Sequence, residues 1–230
     1  MFTGIVQERA PVVSLTPFDG GLRLVLGLSE PRRAGLALGA SVAVNGTCLT
    51  VTAVSETGVA FDIIHETLRL TNLGRLQEGS EVNVERSASF QDEIGGHRVS
   101  GHVSGTTVLK AVSREGGEWR GTLALDPAWS AYVFHKGFIA LDGCSLTVAL
   151  LDREAGTFEV ALIPETLERT LWGQREAGAV INVEVDVDTQ AIVTTLGRIL
   201  KIPRCGRSCS TGRGYDTGLC RALGCGPRSF

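Results

Sequence analysis

Cys48 and Ser145 hold the same place in two matching stretches, Asn45-Gly-Thr-Cys-Leu-Thr-Val51 and Asp142-Gly-Cys-Ser-Leu-Thr-Val148, 97 residues apart. A thiol and a hydroxyl become nucleophiles or proton carriers once a base or a hydrogen-bond partner assists them. Around this pair the second stretch is the more polar: His102 stands against Ile5, Asp142 against Asn45, and Asp186 lies one residue beyond the position matching Arg86. Thr50 and Thr147 follow two residues after Cys48 and Ser145, and Lys136 adds a cation. Such a set suits proton transfer and hydrogen bonding to a small polar molecule. Each member also has an ordinary use. A lone His102 serves as a core or rim histidine, and Ser145 and Thr147 can satisfy a turn. Cys48 can be a small buried hydrophobe, Lys136 a solvated charge, and Asp186 the cap of a helix near Thr189. What sets them apart is clustering: matched turns of a repeat stand at equivalent rims, where polar side chains face a common cleft.

The elements that must position them are mostly short strands. Alternating or short apolar runs predict strands over Leu22–Leu26, Ser41–Val44, Leu49–Val54, Val59–Ile64 and Glu81–Val84. A second set follows over Thr107–Val112, Trp119–Leu125, Phe138–Leu141, Leu146–Leu151, Thr157–Ile163 and Ile181–Val187. Helical spacing is confined to Glu66–Asn72, Glu165–Leu171 and Thr189–Leu200. Four anchors repeat in order: Thr3-Gly-Ile-Val6 with Ser100-Gly-His-Val103, the two stretches above, Glu66-Thr-Leu with Glu165-Thr-Leu, and Val82-Asn-Val-Glu85 with Ile181-Asn-Val-Glu184. The first two pairs are offset by 97 residues and the last two by 99, so one small insertion separates the copies. The chain is a tandem duplication of an all-β module, a barrel or sandwich, dividing near Asp92–Gly96.

Bulk properties narrow the partners. The 230 residues carry a net charge of −3 and 6% aromatics, with no basic stripe for nucleic acid. No run reaches the length of a membrane span, and the start lacks a signal-peptide pattern, so a cytoplasmic protein is expected. Cys48 and Cys144 stand alone while four cysteines crowd the last 26 residues, which is no secreted disulfide framework.

Nine ordered motifs, from Met1-Phe-Thr-Gly-Ile-Val6 through Asp92-Glu-Ile-Gly-Gly-His97 and Lys136-Gly to Asn182-Val-Glu-Val-Asp186, closely resemble the riboflavin synthase alpha chain over residues 1 to about 200. The resemblance implies two six-stranded Greek-key barrels, 1–96 and 97–187, each binding one lumazine, and a trimerisation helix over 188–202. It implies that two molecules of 6,7-dimethyl-8-ribityllumazine exchange a four-carbon unit, giving riboflavin and 5-amino-6-ribitylaminouracil. The working site would form between the first barrel of one subunit and the second barrel of its neighbour in a homotrimer, which can also associate with lumazine synthase. On that reading His102, Ser145, Thr147 and Asp186 serve the second barrel, Cys48, Ser41 and Thr50 the first, and Lys136 steadies negative charge on the deprotonated lumazine. Phe2 would stack on or cover the ring. Thr3, Gly4, Gly101, Ile64, Ile163, Glu66, Glu165, Thr67 and Thr166, with backbone near Gly46 and Gly143, would hold its edge and ribityl chain. Neither a metal nor a cofactor is expected.

Two other readings stand beside this one. A lumazine or flavin antenna protein shares the duplicated fold but would lose the polar residues of the second barrel, which this chain keeps. A reductase flavin domain would bring a nicotinamide domain, and no G-x-G-x-x-G follows a strand here. The tail, 203–230, departs from the family. Its spacings Cys205-x3-Cys209 and Cys220-x4-Cys225 are looser than strong zinc pairs, and its composition is that of a disordered appendage.

Overall fold

The computed structural model describes residues 1–200, so the trailing cysteines Cys205, Cys209, Cys220 and Cys225, and the end of the expected helix, lie outside the described residues. The first copy forms β1 (Glu8–Phe18), β2 (Gly21–Leu26), α1 (Glu30–Arg33), β3 (Ser41–Val44), β4 (Thr47–Val54), β5 (Val59–Ile64), α2 (His65–Leu70) and β6 (Glu81–Arg86). The second forms β7 (Gly105–Ser113), β8 (Trp119–Ala124), β9 (Phe138–Leu141), β10 (Cys144–Asp152), β11 (Thr157–Leu162), α3 (Pro164–Arg169) and β12 (Val180–Val185), followed by α4 (Val187–Ile199). Each set of six strands closes into an antiparallel barrel, β1-β2-β5-β4-β3-β6 and β7-β8-β11-β10-β9-β12, the same Greek-key path twice.

The hairpins carrying the two matched stretches follow from their turn residues. Val44 pairs with Thr47 across Asn45-Gly46, and Leu141 with Cys144 across Asp142-Gly143. Both loop residues sit at positive φ, 44° and 77° in the first copy, 46° and 80° in the second. Two-residue hairpins demand that conformation, and Asn-Gly or Asp-Gly adopts it with least strain. Alternation then does the sorting. Leu49 and Val51 point into the first barrel and Leu146 and Val148 into the second, while Cys48, Thr50, Ser145 and Thr147 point outward.

One strand is absent from the sequence pattern. Pro11 and Pro17 argue against pairing in the opening stretch, yet β1 is the longest strand of its barrel. Pro11 is the last residue paired with β6; from Val12 the strand switches to β2 through an irregularity between Val12 and Ser14. The missing proline N–H therefore falls where the ladder changes hands.

The cores differ in filling. The first barrel closes on aliphatic side chains around Phe61. In the second, Trp119 meets Trp172 edge to face at 5.5 Å, and Trp129 meets Phe158 at 6.1 Å.

Between the barrels runs an approximate twofold relation. Asn83 accepts a hydrogen bond from Leu171 N at 2.9 Å and donates to Asp142 O at 3.0 Å. Its counterpart Asn182 accepts from Asn72 N at 2.7 Å and donates to Asn45 O at 2.8 Å. The symmetry breaks at Asp142, whose carboxylate meets Arg175 at 2.5 Å; the counterparts of this pair are Asn45 and Leu76.

Candidate active site

The outward faces of β4 and β10 each carry a polar patch. On the first barrel Ser41 pairs with Thr50 and Ala43 with Cys48. On the second Phe138 pairs with Thr147 and Ala140 with Ser145. Ile64 ends β5 and Ile163 follows β11, each just beyond the last residues those strands pair with β4 and β10. These two isoleucines are 60% and 64% exposed. Each patch thus offers an apolar side chain and a line of hydrogen-bonding groups, the composition that small-molecule sites use.

What faces these strands is a crossing of chain segments. The opening segments of the two copies pair with each other: Phe2 N donates to Val99 O at 2.8 Å and Val99 N to Phe2 O at 3.0 Å. Each then reaches the opposite barrel. Ser145 N donates to Gly4 O at 2.7 Å, and Cys48 N to Gly101 O at 2.9 Å. Both glycines have positive φ, 75° and 83°, and a Cβ on either would stand 2.6 Å from Ser145 Cβ or 2.5 Å from Cys48 Cβ. Only glycine permits that approach. Two carboxylates fasten the segments. Glu85 accepts from Thr3 N (2.6 Å), Thr3 Oγ1 (2.8 Å) and Gly4 N (3.0 Å). Glu184 accepts from Ser100 N (2.7 Å), Ser100 Oγ (2.7 Å) and Gly101 N (2.9 Å). Burial pushes the Glu85 carboxyl above the usual range, opposed by its bonds to Thr3 and Gly4.

This crossing changes the grouping expected from sequence. His102 follows Gly101 and therefore stands beside Cys48 on the first barrel, not with Ser145. Ser145 has another partner. His97 Nδ1 lies 2.6 Å from Ser145 Oγ, and its ring stacks on Phe138 at 5.1 Å and 12°. His97 N also donates to Thr3 O at 3.1 Å. Its Nε2 is buried without a protein partner among the described residues. Burial lowers the His97 pKa, with the nearby Asp186 carboxylate pulling the other way. A neutral imidazole hydrogen-bonded to a hydroxyl can accept a proton and relay it. In the sequence His97 appears only as the last residue of the motif Asp92-Glu-Ile-Gly-Gly-His97, with no role attached to it, because comparing the copies pairs it with nothing.

The remaining candidates fall as follows. Asp186 caps α4, accepting from Thr189 N at 2.9 Å and Thr189 Oγ1 at 2.6 Å; burial raises its carboxyl, but the Thr189 bonds and His97 hold it below the usual range. Lys136 is exposed at φ 64°, and its N–H donates to Val148 O. The first-copy residue in that place is Gly39, at φ 81° and bonded alike to Val51 O. A lysine held in a conformation its duplicate gives to glycine marks a place where the side chain is kept despite strain. Phe2 is only 1% exposed, packed with Ala43, Val99, Ala140 and Cys48, so it forms the floor between the patches. Glu66 and Glu165 pair with Arg69 and Arg169 on the surface, and Thr67 and Thr166 turn the chain in α2 and α3. No group of three or more His, Cys, Asp or Glu placed to hold a metal ion occurs among the described residues.

Residues 3–87 and 100–186 each match the lumazine binding domain family. A riboflavin synthase of Escherichia coli (strain K12) is 47% identical over 201 residues, 87% of this chain and 93% of that protein. One from Chlamydia pneumoniae is 42% identical, over 87% of this chain and 97% of its own length. One from Bacillus subtilis (strain 168) is 35% identical, over 81% and 86%. Among solved structures, LumP complexed with riboflavin superposes with a TM-score of 0.74 at 23% identity, over 81% of this chain and all of that one. LumP complexed with 6,7-dimethyl-8-(1'-D-ribityl) lumazine gives 0.72 at 22%, over 81% and 99%. At that identity these two share the fold. The duplicated barrels are thus a pair of lumazine-binding domains. Within that class, the chain belongs to the riboflavin synthase family.

Proposed function

We infer that this chain makes riboflavin by dismutation: two molecules of 6,7-dimethyl-8-ribityllumazine exchange a four-carbon unit, and 5-amino-6-ribitylaminouracil leaves as the second product. The observation that carries this reading is the pair of unlike patches on like scaffolds. A reaction in which one compound is both donor and acceptor needs two sites that bind the same ring and treat it differently. The first barrel's patch gathers Cys48, Thr50 and Ser41 with His102 from the second copy; the second barrel's patch gathers Ser145, Thr147, Lys136, Asp186 and His97. The neutral His97 with Ser145 is suited to take a proton from the acidic 7-methyl group, and Lys136 to steady the charge that results. Cys48, with His102 beside it, is suited to assist addition at C7 of the other lumazine. Ile64 and Ile163 offer the ring edge an apolar surface.

The domain division 1–96 and 97–187, with the helix from 188, accompanies this reading. So does a homotrimer, supported by the exposed apolar stripe Ile192, Leu196 and Ile199 on α4. Association with lumazine synthase and a cytoplasmic setting belong with it; no helix among the described residues is long and apolar enough to cross a membrane. Purified protein given dimethylribityllumazine is expected to develop riboflavin absorbance. Stoichiometric binding without turnover would instead make it an antenna protein. Sedimentation with Leu196→Glu, expected to yield smaller species, tests the trimer.

A further inference from the structure

We propose that Glu85 and Glu184 are positioning residues wired crosswise: each carboxylate belongs to one barrel and sets the reactive patch of the other. The assignment rests on the proposed function for its meaning but on hydrogen bonds for its content. Glu85 lies on β6 of the first barrel. It fixes Thr3 and Gly4, whose carbonyl oxygens hold His97 N and Ser145 N on the second barrel's patch. Glu184 lies on β12 of the second barrel. It fixes Ser100 and Gly101, whose carbonyl holds Cys48 N beside His102 on the first barrel's patch. The bonds are charge-assisted and run to two successive amides and a hydroxyl, so each segment is held at a defined height above its strand. A shift of a fraction of an ångström at Gly4 or Gly101 passes directly to Ser145 or Cys48, because a glycine stands where a Cβ would collide.

The test uses the full chain without substrate, so its outcome does not depend on turnover. Glu184→Gln and Glu85→Gln each put an amide NH2 against a backbone N–H and loosen one segment. Cys48 is read by its alkylation rate, from mass spectrometry of its peptide; His97 by its ring proton resonance. Glu184→Gln is expected to raise the Cys48 rate about tenfold and leave His97 in place, the size expected from losing a charged hydrogen bond. Glu85→Gln is expected to shift the His97 resonance and leave Cys48 within about twofold, inside the usual scatter for a distant site. Should either variant fail to fold, Ser100→Ala and Thr3→Val remove the hydroxyl, which donates to the glutamate and accepts from His102 N or Ile5 N, while leaving both amide bonds to the carboxylate, and are expected to give the same pattern at reduced size. Equal effects of both variants on both probes, the uncrossed pattern, or no effect on either probe would each overturn the assignment. An inactive wild-type protein with the crossed pattern would refute the proposed function and leave the wiring standing.

Discussion

The first barrel turns a thiol outward and fills its interior with aliphatic side chains. The second turns out a hydroxyl in contact with an imidazole and fills its interior with indole rings. Strand order and turn conformation are the same in both, so the differences cannot be ascribed to scaffold. They sit at three places: the interiors, the outward positions of β4 and β10, where Cys48 corresponds to Ser145, and the single charged pair Asp142–Arg175 in the polar seam. A duplication under pressure only to keep a core would have drifted on solvated faces. Here the outward polar identities have separated while the clasps, Glu85 and Glu184, stayed the same.

The largest loss of activity is expected at the second patch. Ser145→Ala or His97→Gln is expected to lower kcat for riboflavin formation by roughly 10² to 10³, the range for losing a positioned proton carrier. Because burial holds the His97 pKa below its ordinary value of about 6.5, the imidazole is neutral at pH 7. The acid limb of kcat/KM should then fall only below that value and vanish from the profile in His97→Gln. A limb unchanged in the variant would assign it to another group.

The difference in cores is sharpened by Trp172→Leu, which installs the residue its counterpart Leu73 provides. Trp172 is buried against Trp119, so the swap leaves an unfilled space and is expected to destabilise by about 3 kcal/mol in denaturant unfolding. Leu73→Ala should cost about as much, and a negligible effect of either would show that the barrel collapses around the gap.

Next comes the charged pair. Asp142→Asn restores the first copy's residue but turns an amide NH2 toward Arg175, and a loss of about 2 kcal/mol is expected. Adding Arg175→Leu reproduces Asn45 and Leu76, and a double-mutant cycle should show most of the loss recovered. Strict additivity would mean that the pair does not act as one.

The smallest expected change has opposite signs for folding and for activity. Lys136→Gly gives the second barrel the glycine that stands at position 39 and relieves a left-handed lysine, so stability should rise by about 1 kcal/mol. Riboflavin formation should fall at the same time. A gain in both would remove Lys136 from the proposed site.

Much of this architecture was legible before any coordinates. The repeat, the Asn-Gly and Asp-Gly hairpins and the outward placement of Cys48 and Ser145 follow from local rules, since turn type and alternation are written within a few residues. Strand β1 was not, because Pro11 is admissible only where the ladder passes from β6 to β2, a fact that depends on its partner Glu81 on β6, far along the chain. The role of His97, which stands in the sequence only as the end of a motif, was out of reach for the same reason. Its hydroxyl partner is 48 residues distant, and without a counterpart it could not be found by comparing copies. The misplacement of His102 came from assuming that a residue serves the barrel it is numbered in, and the crossing of the opening segments separates chain order from place.

The Phe2↔Val99 bridge joins the same position of both copies to itself. A surface that binds its own equivalent is the hallmark of a twofold dimer. Seen so, the subunit is an arm-exchanged dimer whose halves have been tied end to end. Tying them freed each half to change alone, since a mutation no longer appears on both sides of the axis at once. Cutting the chain between the barrels would take Gly101 away from Cys48, and a lone first half could restore that contact only by lending its arm to another of its kind.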